Sequence, residues 1–259
     1  MQKLTIKKIL NKKNKTPIVC LTAYSKAIAQ IADKYCDIIL VGDSLGMVLY
    51  GMKTTKEVKI ETMILHCRAV KKFAKKSLVV FDMPYKTYEN KFTAYKNASK
   101  VINLTKCDAI KLEGGKKIVS IIKYLTKKGI PVMGHVGLLP QTSTNFKVKG
   151  KNFLQRKQIF DDATAISDSG VFAIVLECVV EDLAKVITKS VSIPTIGIGS
   201  SKYCDGQILV INDMLGLSGF YPKFVKQYSN LKQIIENSIK RYVHDVKHSR
   251  FPSIKNSYK

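Results

Sequence analysis

Five segments of the chain end an apolar run on side chains that can do chemistry. They are Asp43 with Ser44 in LVGDSLG, Asp82 in VVFDMPY, Lys111 with Glu113 in IKLEGG, His135 in VMGHVG and Glu177 in VLECVV. The chain holds 19 acidic residues, and four of them close four such runs, which is a pattern and not scatter. Asp43, Asp82 and Glu113 make an oxygen-rich set free of thiols, suited to Mg²⁺ or another hard divalent ion and not to structural zinc. A magnesium ion with open positions can take the carboxylate and keto oxygens of a 2-oxo acid, polarise the carbonyl and stabilise the enolate formed beside it. Each residue also has a structural reading. Asp43 or Asp82 alone could be a helix N-cap. Lys111 and Glu113, two apart on one strand face, could be a simple ion pair. His135 reads first as a hydrogen-bonded core histidine and only second as a metal ligand. Glu177, between Leu176 and Cys178, is hard to explain structurally, because an unpaired buried carboxylate is costly.

The elements that must carry these residues follow from hydrophobic periodicity. Eight β-branched runs are expected as strands over 18–24, 37–43, 78–84, 109–115, 130–137, 171–178, 193–200 and 206–215. They are apolar almost throughout, as parallel strands covered on both faces must be. Amphipathic segments over 26–35, 57–76, 91–106, 116–128, 153–169 and 181–190 alternate with them as helices. A doubly wound open sheet competes, but eight βα units in succession favour an α/β fold of the (β/α)8 TIM barrel type, as one domain over residues 1–259. A short helix precedes the first strand at the base of the barrel, and a helix over 222–242 closes the C-terminus. In such a barrel the chemistry stands at the carboxyl ends of the strands, where the acids lie.

Composition limits the partners. No run approaches the roughly 18 apolar residues of a membrane span, and the lysine-rich start lacks a signal-peptide core, so a soluble cytoplasmic protein without membrane contact is expected. The six cysteines form no C-x-x-C pair and read as reduced, small hydrophobes. A net charge of +25 raises nucleic acid as a partner, but it comes from 40 lysines and 4 arginines scattered in doublets, without arginine forks or stacking aromatics. No nucleic-acid partner is expected. Gly197-Ile-Gly199 lacks the third glycine of a dinucleotide fingerprint, and Gly114-Gly115-Lys116-Lys117 lacks the Walker spacing.

Taken together, LTAY (21–24), VGDSLGMV (41–48), FDMPY (81–85), KLEGG (111–115), GHVGLLPQ (134–141), VLEC (175–178), IPTIGIGS (193–200) and CDGQILV (204–210) resemble the ketopantoate hydroxymethyltransferase family in order and spacing. The resemblance spans the chain, its tail RYVHDVKHSRFP included. It implies one Mg²⁺ per subunit at Asp43, Asp82 and Glu113, the last directly or through water. It implies 3-methyl-2-oxobutanoate held by that metal with Asp43, Ser44, Asp82 and Lys111, and Glu177 as general base. It also implies 5,10-methylenetetrahydrofolate as co-substrate, 2-dehydropantoate as product in pantothenate and coenzyme A biosynthesis, and a homodecamer. Three departures touch the rim of the pocket: Ser25 for the family's Asp, Ser200-Ser201 for a small Ala-Gly step, and a short segment after Gln141. Two other readings remain. One is a Mg²⁺-dependent lyase or mutase of the isocitrate lyase and phosphoenolpyruvate mutase type. The other is a basic RNA-binding or scaffold protein on a decayed barrel.

Overall fold

A computed structural model describes residues 3–143, 145–219 and 221–258. The chain forms two compact units, Met1–Val210 and Ile211–Lys259. In the first, eight parallel strands close into a barrel in chain order, β8 returning to β1. They are β1 (Ile18–Thr22), β2 (Ile38–Val41), β3 (Leu78–Asp82), β4 (Ala109–Glu113), β5 (Val132–Gly137), β6 (Ala173–Glu177), β7 (Thr195–Ile198) and β8 (Gly206–Leu209). The helices are α1 (Ile6–Leu10), α2 (Lys26–Tyr35), α3 (Leu45–Tyr50), α4 (Ile60–Phe73), α5 (Lys91–Thr105), α6 (Val119–Lys127), α7 (Phe153–Ser167) and α8 (Glu181–Ser190).

Alternate residues of each strand fill the barrel. Ile18 and Cys20, Ile38 and Leu40, Leu78 and Val80, Ala109, Met133, Ala173 and Val175, Ile196 and Ile208 form one buried cluster with Ile9 of α1. Because side chains alternate with period two, the next residues on that inward face are Asp82, then Lys111 and Glu113, then His135 and Glu177. The apolar interior thus turns polar at the carboxyl ends.

The amino ends are held by a different set of acids. Asp37, just before β2, accepts from the Val19 N–H of β1 at 2.9 Å. Asp108, before β4, accepts from Val79 N of β3 at 2.9 Å. Asp205, before β8, accepts from Thr195 N of β7 at 2.8 Å. Lysines pair with all three: Lys12 with Asp37, Lys3 and Lys71 with Asp108, and Lys13 with Asp205. An aspartate preceding an even strand therefore ties down the first free N–H of the odd strand before it, a donor that would otherwise lie unpaired at the barrel floor.

The second unit contains α9 (Ile211–Met214) and α10 (Leu231–Lys247). Both differ from expectation. The eighth strand stops at Leu209 and not at Leu215, because Leu215 N bonds Ile211 O in a helical turn that Gly216, at φ +74°, terminates. The C-terminal helix begins at Leu231, nine residues later than expected, behind the N-cap Asn230, whose side chain accepts from Gln233 N at 3.2 Å. Phe224 and Val225, read as its first turn, precede it. On α10, Ile234, Ile235, Ile239, Tyr242, Val243 and Val246 remain exposed. No helix among the described residues is long and apolar enough to cross a membrane.

Candidate active site

The sheet register brings the polar ends together. Asp82 lies beside Lys111, Glu113 beside His135, and Gly137 beside Glu177. Lys111 is buried and its Nζ donates to both oxygens of Asp82 at 2.8 Å, with Glu113 Oε1 at 3.5 Å. The ion pair read along one strand is thus mainly a pair between strands. His135 is enclosed between two carboxylates, its Nδ1 3.4 Å from Glu113 Oε1 and its Nε2 3.3 Å from Glu177 Oε2. Neither ring nitrogen has hydrogen-bond geometry to these oxygens, so the contacts are charge contacts.

Asp43 lies two residues past β2 and is almost fully buried. Neither it nor Asp82 caps a helix. Ser44 occupies the position before α3 but makes no capping bond, and its Oγ instead meets Tyr24 OH at 2.8 Å. The Tyr24 carbonyl in turn faces His66 Nδ1 at 2.6 Å, and His66 Nε2 faces Tyr50 OH at 2.8 Å. Glu177 keeps 17% of its side chain open, so it faces the barrel mouth and not the core that its apolar neighbours suggest. The residue after it, Cys178, is held at φ +50°, a strained conformation for a side chain other than glycine.

Electrostatics follow from this crowding. Burial, with Asp82 and Glu113 nearby, pushes the Asp43 carboxyl well above its ordinary range. Burial also lifts Asp82, outweighing the Lys111 ammonium against it. At Glu113 burial again opposes ionisation, but Lys111 and His135 outweigh it and hold the group at about 2. Burial and Lys111 disfavour the His135 imidazolium, yet Glu113 and Glu177 outweigh both and raise it to about 9. Lys111 stays charged despite burial because three carboxylates surround it.

The donor set fits a divalent cation. Four carboxyl groups face one lysine and one histidine, and burial makes ionisation unfavourable at Asp43 and Asp82, a cost that a bound cation would offset. Among the described residues no three His, Cys, Asp or Glu side chains lie close enough to hold a metal by themselves. Magnesium does not need such a cage, since it commonly binds through one or two carboxylates and completes its octahedron with water and substrate oxygens.

A sequence profile of ketopantoate hydroxymethyltransferase matches residues 3–254. The chain belongs to the ketopantoate hydroxymethyltransferase family. The 3-methyl-2-oxobutanoate hydroxymethyltransferase of Pelagibacter ubique (strain HTCC1062) is 56% identical over 255 residues, covering 97% of this chain and 99% of that one. That of Bartonella quintana (strain Toulouse) is 51% identical over 263 residues, covering 100% and 96%. The barrel is shared with phosphonopyruvate hydrolase, at TM-score 0.64 and 12% identity over 98% of this chain and 93% of that one. It is also shared with 2,3-dimethylmalate lyase, a member of the PEP mutase/isocitrate lyase superfamily, at TM-score 0.63 and 12% identity over 96% and 85%. At that identity the likeness is one of fold.

In this member of the ketopantoate hydroxymethyltransferase family the six residues to which the resemblance gives roles, Asp43, Ser44, Asp82, Lys111, Glu113 and Glu177, lie toward the carboxyl ends of β2 to β4 and β6, with His135 of β5 between them. The departures from the family pattern are accommodated locally. Ser25 precedes α2 without a capping bond, Ser200 Oγ donates to Val179 O at 3.2 Å, and Ser201 Oγ accepts from Tyr203 N at 3.2 Å. Thr144, in the short segment after Gln141, lies outside the described residues. Sequence reasoning missed three residues of the mouth: Tyr24, Tyr88 and Gln141. Their only signal was membership in the LTAY and GHVGLLPQ blocks or, for Tyr88, proximity to FDMPY.

Proposed function

We propose that the chain transfers the one-carbon unit of 5,10-methylenetetrahydrofolate to 3-methyl-2-oxobutanoate, giving 2-dehydropantoate for pantothenate and coenzyme A synthesis. The observation that carries this reading is the inward-facing acid–lysine–histidine set at the strand carboxyl ends, in a chain matched to the family over residues 3–254. Asp43 and Asp82 would hold Mg²⁺ directly and Glu113 through water. When bound, the cation would polarise the keto carbonyl and offset the charge that develops on it.

The chain's own residues supply the rest. Lys111 presents an ammonium to the substrate carboxylate, which shares it with Asp82. Ser44 Oγ, held by Tyr24, offers a hydrogen bond at the same end. Glu177, at the open rim, takes the C3 proton and leaves an enolate. His135 stays an imidazolium at neutral pH and bridges Glu113 to Glu177, which fixes the base in place. Water breaks both C–N bonds of the folate methylene bridge, releasing tetrahydrofolate and a formaldehyde equivalent, and the enolate carbon adds to that carbonyl, whose oxygen takes the proton removed from C3 and becomes the hydroxyl.

The test is 2-dehydropantoate formation from both substrates, with Mg²⁺ and with chelator. Product that requires both folate and metal supports the reading. Absence of product with everything present, or folate-independent cleavage of 2-methylisocitrate, overturns it. The exposed apolar face of α10 suits a subunit contact, and the family resemblance implies a homodecamer. At a net charge of +25, assembly should strengthen as salt is raised from very low values; light scattering that finds only monomer at every ionic strength refutes the decamer.

A further inference from the structure

Gln141 has no charge and no role in the chemistry above, yet its side chain and backbone N–H hold four groups of the mouth. It is 1% exposed. Its Nε2 donates to Asp43 Oδ2 and to the Met83 carbonyl, each at 2.9 Å. Its backbone N–H donates to Glu113 Oε2 at 3.1 Å. Its Oε1 accepts from Tyr88 OH, and that same phenol oxygen accepts from Glu113 N at 3.3 Å. One residue thus joins the ends of β2 and β3 through its carboxamide, and that of β4 through its backbone N–H, to the loop after β5, across 98 residues of sequence at its longest link. Both Nε2 hydrogens and the amide oxygen are used, so the group has one orientation. Flipped, its oxygen would face the Asp43 carboxylate and the Met83 carbonyl.

From this geometry we infer that Gln141, locked by Tyr88, is a positioning residue that fixes Asp43 and Glu113 for the divalent cation and the keto acid. The inference rests on the metal reading above. A neutral donor suits the task better than a basic one. A lysine or arginine in that place would hold Asp43 equally well but would cancel the charge that must attract a cation. A carboxamide aims the carboxylate and leaves its charge intact. Outer partners that orient ligands in this way are typically worth about 10–100-fold in metal affinity or activity.

The test uses Gln141→Met, which keeps length and volume but removes every side-chain hydrogen bond, and Tyr88→Phe, which removes the lock and the phenol's contacts with the Glu113 backbone but none with the Glu113 carboxylate. Mn²⁺ affinity is measured by electron paramagnetic resonance, alongside thermal melting, the KM for 3-methyl-2-oxobutanoate and kcat at saturating metal. Gln141→Met should weaken Mn²⁺ binding about 10–100-fold and lower kcat even at saturation, with the keto-acid KM changed less than kcat. Tyr88→Phe should shift both in the same direction by a smaller factor, and it carries the test alone if the Met variant fails to fold. A lower melting temperature with Mn²⁺ affinity and kcat unchanged in both variants would make Gln141 a purely structural residue and overturn the inference. If the wild type binds Mn²⁺ and loses it on Asp43→Asn, the metal reading stands whatever Gln141 does. If the wild type binds none, the metal reading and this inference fall together.

Discussion

Replacing Glu177 with Gln keeps the shape of the mouth and removes one charge, and the geometry fixes what should follow. Glu177 Oε2 lies 3.3 Å from His135 Nε2, and at an effective dielectric near 20 that separation gives an attraction of about 5 kcal/mol, less what solvent screens at the open rim. His135 is raised to about 9 by two carboxylates working against burial and Lys111. With only Glu113 left, at 3.4 Å, its titration should fall well below that value. Two results are expected. Turnover should drop by about 10²–10⁴, or about 3–5 kcal/mol of barrier, because the C3 proton has lost its acceptor. A residual activity should then rise with pH through the lowered His135 titration, as the imidazole becomes neutral and can stand in as a weaker base. The assay is exchange of the C3 proton of 3-methyl-2-oxobutanoate with solvent deuterium in the absence of folate, which isolates enolisation from carbon–carbon bond formation. Wild type should exchange and the Gln variant should exchange at least 100-fold more slowly, with the imidazole titration followed by proton NMR. Exchange at the wild-type rate would refute the assignment and place the base elsewhere, His135 first.

Three further outcomes follow from the same geometry. Because the Asp43 carboxyl is raised in the fold, the folded state holds a proton that the unfolded chain has already released; its contribution to stability is full below the unfolded value near 4 and is lost as pH climbs through the raised one. Asp43→Asn should therefore raise the melting temperature of chelator-treated protein at pH 7 while abolishing turnover and the stabilisation by Mg²⁺, and a lower melting temperature would contradict that burial cost. Gly137 sits at φ +97°, where an added Cβ would come 2.4 Å from the Glu177 carbonyl oxygen, so Gly137→Ala should cost about 2–3 kcal/mol in denaturant unfolding and reduce kcat by displacing Glu177. Asp205→Ala strands the N–H groups of Asn14 and Thr195 and leaves the ammonium of Lys13 with the Thr188 carbonyl alone, so it should cost about 3 kcal/mol, roughly 6–12 °C in melting temperature, yet leave kcat at 25 °C unchanged because it lies at the amino ends of the strands, opposite the chemistry.

Much of the site could be read from the sequence because the inward-facing period carries straight on from core to chemistry. Leu78 and Val80 lead to Asp82, Ala109 to Lys111 and Glu113, and Ala173 and Val175 to Glu177. Asp43 breaks that rule. The inward face of β2 runs Ile38, Leu40 and then Gly42, so Asp43 reaches the mouth through the turn before α3 and not through strand parity. The eighth strand was overextended because Ile208 to Ile211 is one apolar run, and periodicity over four residues does not separate the end of a strand from the first turn of a helix. Pairings were harder to read than placements. Lys111 and Glu113 share a face, so the local pattern pairs them, but the barrel register sets Lys111 beside Asp82, and a charge contact between neighbouring strands won. Gln141 was invisible for the same reason, since its partners lie on three other strand ends and a glutamine after a proline carries no periodic signal. What the sequence did hold, unread, was the direction of the chain. An aspartate before an apolar run, as at Asp37, Asp108 and Asp205, meets free N–H groups and becomes a brace. One after the run, as at Asp82, meets a buried ammonium, one backbone N–H at 3.4 Å and other acids, and burial still lifts its titration. The same residue type is thus structural at one end of a parallel strand and chemically loaded at the other, because the acids at the first end are spaced apart, each with a backbone donor and a lysine, while those at the second crowd together in a buried mouth.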